Sequence, residues 1–210
     1  MNTALTDLIN RETLDFARRM AYMAEFRKPD AKNHLERIRG YCSIIGRALD
    51  LSKPEVELIA YASQLHDIGT VGIPEAIITK TEDLTDYEWE LIKRHPIIGA
   101  EILHGSPSPL LQAAEIIALT HHERWDGSGY PYGISGKDIP LSGRICALAD
   151  VFDALTTPRS YKKEISVEEA TQLMVDARGQ LFDPNLVVVF VENIREVIKI
   201  RQSNLTAVTL

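Results

Sequence analysis

Apolar residues recur at helical spacing along nearly the whole chain, and that single pattern excludes most fold classes. Between Leu5 and Phe26 they fall at Leu5, Leu8, Ile9, Phe16, Met20, Met23 and Ala24, one face of a helix that Pro29 ends. A second helix is expected over 33–49, turning Leu35, Ile38, Cys42, Ile45 and Leu49 inward. Three further starts are marked by Ser52 with Glu55, Thr85 with Glu88, and Ser166 with Glu169. In each, the hydroxyl can accept from the third helical N–H while the carboxylate reaches back to the cap. Helices are also expected over 108–122, 142–156 and 184–200; the run LVVVFV at 186–191 has strand-like composition but lies inside the last of these. No internal repeat or low-complexity tract interrupts the pattern, so the expected fold class is all-α.

Composition narrows the function. A chain of 210 residues, 45% hydrophobic, can bury a substantial core. Its net charge of −7 argues against binding nucleic acid polymers, yet leaves room for a small anionic ligand met by local cations or metals. Cys42 and Cys146 each sit in an apolar helical segment, which reads as two reduced, buried thiols. No apolar stretch is long enough to span a bilayer, and MNTALTDLINRE lacks a basic-then-apolar leader, so a cytoplasmic protein without a membrane partner is expected.

The six histidines carry the chemistry. His66 is followed at once by Asp67 at the end of an apolar helix, where an imidazole and a carboxylate can hold a divalent metal from two sides. His121 and His122 end another apolar helix, so their rings diverge toward neighbouring ions. Asp150 sits in ICALADVFDAL, where a charged carboxylate is costly to bury unless something positive meets it. Taken singly, each residue also fits a helix cap, a dipole partner or a structural hydrogen bond. Their coincidence favours metal. Histidine and aspartate without cysteine suit iron, manganese, zinc or nickel, with iron and manganese favoured by oxygen-rich shells. Two such ions polarise a phosphoryl oxygen and activate water for in-line displacement.

The segments LHDIG (65–69), IKRHPIIGAEIL (92–103), HHERWDGSGYP (121–131) and ALADVFDALTTPRSYK (147–162) resemble the HD-GYP branch of the HD-domain metal-dependent phosphohydrolases. The likeness runs from about Pro29 to Phe190, and the HHERWDGSGYP block in register with the others makes it specific. It implies an HD-domain helical bundle with a buried multinuclear metal site over 29–200, preceded by a helix over 1–28 that serves as linker or dimerisation element, and followed by a tail over 201–210. It implies two or three divalent ions, iron or manganese, held by His34, His66, Asp67, His95, His121, His122 and Asp150, with Asp67 bridging. A Glu that recruits a third ion in the family corresponds here to the shorter Asp30. His104 is left as a surface or helix-end residue.

The same resemblance implies hydrolysis of cyclic di-GMP to pGpG and onward to GMP. Arg159 and Lys162 would hold its phosphates, Asp153 would orient the site or Arg159, and Tyr130 would stack on a guanine or bond a phosphate. Gly127 and Gly129 are read as supplying backbone angles closed to other residues, and Trp125 as packing the turn. The Gly129-Tyr130-Pro131 turn is also linked to contacts with diguanylate cyclase domains. One departure stands out: the family pattern His-Asp-x-Gly-Lys reads HDIGT here, so Thr70 replaces a lysine beside the scissile phosphate. Losing one such electrostatic contact costs about a hundredfold or more in rate. The alternative to a phosphodiesterase is therefore a weakened receptor for cyclic di-GMP or a partner-binding module.

Overall fold

The computed structural model describes residues 11–28, 30–158 and 163–205. In chain order the helices are α1 (Arg11–Glu25), α2 (Ala31–Ala48), α3 (Lys53–Ala62), α4 (Glu75–Ile78), α5 (Asp86–Ile92), α6 (His95–Leu103), α7 (Pro109–Thr120), α8 (Leu141–Thr156), α9 (Val167–Asp176), α10 (Pro184–Glu192) and α11 (Ile194–Leu205). Two short 3-10 segments, Ser63–Leu65 and Ile68–Gly72, follow α3. Among the described residues there is no strand, only an isolated bridge between Arg178 and Phe182. The fold is all-α. None of the described helices is long and apolar enough to cross a membrane.

The capping signals act as local rules predict. Glu55 accepts from the Ser52 amide, and Thr85 and Glu88 bond reciprocally. At Ser166 the hydroxyl accepts from the Glu169 N–H. The 184–200 stretch is two helices rather than one: Asp183 caps the start of α10 by accepting from the Asn185 N–H, and Asn193 closes its end by donating to the Val189 carbonyl. The LVVVFV run lies within α10.

Helix α2 lies at the centre, packed against α3, α8 and α11. Its Ile38, Tyr41, Cys42 and Ile45 are fully buried, and Tyr41 starts an edge-to-face chain through Phe152 of α8 to Phe190 of α10, with ring centroids 5.5 and 5.0 Å apart. Cys42 and Cys146 are buried and unbridged.

Helix α1 turns only part of its expected face inward: Ala24 is buried and Met20 packs against the core. Phe16 and Met23 are 59% and 58% exposed, whereas Ala17, Ala21 and Ala24 are buried. Small residues let α1 lie close to the 3-10 segments after α3, and close packing decides the rotation over side-chain size. Leu5, Leu8, Ile9 and Pro29 lie outside the described residues.

The second 3-10 segment crosses the start of α6 at Gly69. A Cβ there would strike the His95 carbonyl and the Gly99 amide, both backbone atoms that cannot swing aside. That contact sets Asp67 beside His95. Gly69→Ala is therefore expected to lower stability by about 1–3 kcal/mol through overpacking, measured as the urea midpoint; an unchanged midpoint would refute so close an approach.

Candidate metal centre

The ligand candidates come from helix ends and from one short connection. His34 lies in the first turns of α2, His66 and Asp67 lie between the 3-10 segments, His95 opens α6, His121 closes α7 with His122 next to it, and Asp150 lies in α8. Backbone carbonyls orient three of the rings: His66 Nδ1 is 2.9 Å from the Ser63 oxygen, His95 Nδ1 is 2.8 Å from that of Ile92, and His121 Nδ1 is 2.9 Å from that of Ala118. A carbonyl only accepts, so Nδ1 carries the proton and Nε2 presents a bare lone pair. His34 Nδ1 lies 2.7 Å from Asp153 Oδ2. Burial opposes charge on Asp153, but His34 and Arg37 hold its carboxyl at about 2, so it too is an acceptor.

These lone pairs converge in two groups. In the first, Asp67, His95, His121 and His122 place ligand atoms within 4.8 Å of one another. Asp67 Oδ1 is 3.3 Å from His95 Nε2 and 3.6 Å from His121 Nε2, and the two Nε2 atoms face each other at 3.3 Å. Two bare lone pairs at that distance repel unless a cation lies between them. In the second group, Glu25, His34 and His66 meet within the same limit. Glu25 Oε1 and the Nε2 atoms of His34 and His66 are buried with no hydrogen-bond partner, a cost that a bound cation would remove. Asp150 Oδ1 stands 4.0 and 3.9 Å from those two nitrogens, and Asp67 Oδ2 is 3.6 Å from His66 Nε2. The two oxygens of Asp67 thus face different groups, the disposition of a bridging carboxylate. This donor set, imidazole and carboxylate without thiolate, fits divalent metal ions.

Electrostatics agree. Burial alone would raise the Asp67 pKa, but the Lys28 ammonium holds it well below the usual carboxylate range. Burial, reinforced by His121 and His95, keeps His122 well below the ordinary histidine value, so it offers a neutral ring. At His34 burial opposes charge, yet Glu25 and Asp153 raise its pKa, which means the pocket favours a positive charge.

The other residues singled out from the sequence take these places. Asp30 turns away: its Oδ2 is 2.7 Å from Arg37 Nη1, and its Oδ1 accepts from Asn33. Asp153 is 1% exposed and accepts from Arg37 Nε at 2.6 Å, so it orients His34 from behind and does not face the cleft. Tyr130 stacks on His122, centroids 4.7 Å apart, and so braces a ligand candidate. In the turn, Gly127 takes φ +81°, as expected, whereas Gly129 is required for space, because a Cβ there would lie 2.6 Å from the His122 carbonyl. Trp125 packs under the Arg144 guanidinium, 5.8 Å from the ring centroid. His104 is exposed and pairs with Glu115. Arg159 and Lys162 lie outside the described residues.

Two site residues were not anticipated from the sequence. Glu25, the last residue of α1, and Lys28, in the turn that follows it, reach the centre: Lys28 Nζ is 2.7 Å from Asp67 Oδ2 and 3.0 Å from Glu25 Oε2. The alanine stripe at 17, 21 and 24 was the available signal, since it predicts which way Glu25 points. Lys28 borders a cleft of about 820 Å³, with Asp67, His95 and His121 among its lining.

A model of the HD domain matches residues 18–186. The chain is 44% identical over 177 residues to the cyclic di-GMP phosphodiesterase response regulator RpfG of Xanthomonas campestris and 42% identical over 184 residues to 3'3'-cGAMP-specific phosphodiesterase 2 of Vibrio cholerae. These alignments cover 84% and 88% of this chain but 46% and 35% of those proteins, so the chain spans less than half their length. The crystal structure of a cyclic GMP-AMP-specific phosphodiesterase of Vibrio cholerae superposes with a TM-score of 0.66 at 27% identity, covering 92% of this chain and 53% of that one.

Because Asp153 orients His34 without being a ligand, Asp153→Asn is expected to weaken metal binding by about 10–100-fold. Competition with a chromophoric chelator measures this; parental affinity in the variant would show that the Asp153–His34 bond does not tune the site.

Proposed function

The chain belongs to the HD-domain family, in its HD-GYP branch, and from that premise we propose that it is a metal-dependent phosphodiesterase hydrolysing cyclic di-GMP to pGpG and onward to GMP. One observation carries the reading: two buried groups of metal-type donors share Asp67 beside a cleft of about 820 Å³. Dinucleotide phosphodiesterases among the relatives support the substrate class.

His95, His121, His122 and Asp67 would hold one ion, and His34, His66, Asp150, Glu25 and the other oxygen of Asp67 a second. Iron or manganese is the proposed identity, from the mixed imidazole and carboxylate donors. Such ions supply Lewis-acid polarisation of a phosphoryl oxygen and acidification of a water. The chain's own residues set the geometry for this chemistry. Helix-end carbonyls fix which ring nitrogen is bare, Asp67 ties the two groups together, and Tyr130 backs the His122 ring. Arg159 and Lys162 are proposed to hold phosphate from the segment after α8, Arg as a planar fork and Lys as a mobile charge.

Protein loaded anaerobically with Fe(II) or Mn(II) should convert cyclic di-GMP to pGpG and GMP, followed by chromatography, and Asp67→Ala should abolish the conversion. Binding without product would make the chain a receptor. Faster turnover of 3'3'-cGAMP than of cyclic di-GMP would move the assignment to the second dinucleotide.

A further inference from the structure

Thr70 is buried, and its hydroxyl faces backbone: it lies 2.8 Å from the Asp67 carbonyl and 3.2 Å from the Ala24 carbonyl of α1. A hydroxyl has one proton, and both neighbours are acceptors, so it has no donor left for a ligand. What it does is tie the turn that carries Asp67 to the end of α1. Four residues beyond Ala24 the chain presents Lys28, whose ammonium lies 2.7 Å from Asp67 Oδ2 across 39 positions of sequence.

Three cations among the described residues line the cleft: Lys28, Lys80 and Arg124. Lys80 donates to both oxygens of Glu88, at 2.9 and 2.7 Å, and Arg124 is exposed. Only Lys28 is set against the carboxylate shared by the two ligand groups. Its ammonium has three donors. Asp67 and Glu25 take two of them, and the side chain is 38% exposed on the cleft side of an otherwise acceptor-rich centre. An anionic phosphodiester entering that centre meets the carboxylates of the ligand groups; the third donor of Lys28 offers it a charge-assisted bond.

We infer that Lys28 is a phosphate-binding residue of the dinucleotide site, supplying from the turn after α1 the ammonium that position 70 does not. The inference rests on the phosphodiesterase reading and deepens it. It also gives the HDIGT sequence a physical account: Thr70 docks the end of α1, and the turn that follows brings the lysine.

The test compares metal-loaded parent, Lys28→Met, Lys28→Arg and the double variant Lys28→Met/Thr70→Lys. Each is assayed for metal per chain, for affinity toward a non-hydrolysable phosphorothioate analogue of cyclic di-GMP by calorimetry, and for kcat and KM. Lys28→Met is expected to keep its metal, to bind the analogue about tenfold or more weakly, and to lose about a hundredfold in kcat. Lys28→Arg should retain analogue affinity, and Thr70→Lys should restore what Lys28→Met lost. Parental affinity and kcat in Lys28→Met would overturn the inference, as would a loss that merely follows loss of metal. If the parent itself neither binds nor hydrolyses the dinucleotide, the substrate reading falls and the role of Lys28 with it; an active parent with an unaffected Lys28→Met variant removes only the role of Lys28.

Discussion

One carboxylate, Asp67, faces two sets of imidazole lone pairs at once, and most of the local architecture exists to make that tolerable. Its Oδ1 sits among His95 and His121, its Oδ2 beside His66 and Lys28. Buried lone pairs repel one another and any carboxylate near them, so the arrangement holds only with positive charge in its midst. Lys28 supplies part of that charge, and the donor chemistry calls for divalent ions to supply the rest. The Gly69 crossing, the start of α6 and the end of α7 all meet within a few ångströms of this residue, which explains why the 3-10 segments replace a continuous helix there.

Helix termini are well suited to such a centre. The last turn of a helix leaves carbonyls without intrahelical partners, and two of the ring-orienting bonds use carbonyls at or near helix ends, Ile92 of α5 and Ala118 of α7. The same bonds that satisfy the helix end also fix the tautomer of the ligand. His34, inside a helix, has no such carbonyl to spare. Asp153 substitutes for it, and Arg37 neutralises Asp153 in turn.

The sequence made much of this legible. Histidines at the ends of apolar segments, a carboxylate alone in the apolar α8 and three capping pairs are local signals, and they pointed to most helices and to His66, Asp67, His121, His122 and Asp150 as ligand candidates, whereas His34 and His95 came only from the family resemblance. What failed were choices between neighbours in space. Asp30 was expected to face the metals, but its short side chain meets Arg37, two turns further along α2. Phe16 and Met23 of α1 were expected inside but are exposed, because contact with the 3-10 segments selects small residues at 17, 21 and 24. The rotation of α1 decides where Glu25, its last residue, and Lys28, in the turn after it, point.

The rotation of α1 is therefore a condition of the site and not a detail beside it. Successive residues of a helix turn by about 100°. A slip of one position would carry Glu25 out of contact with His34 and take Lys28 from Asp67. The alanine stripe resists that slip by close packing, and Thr70 resists it again by bonding the Ala24 carbonyl. A lysine at position 70 would forgo this second restraint while placing its own charge near Asp67. The chain instead spends position 70 on holding α1 and takes its charge from Lys28, in the turn that follows α1 and borders the cleft.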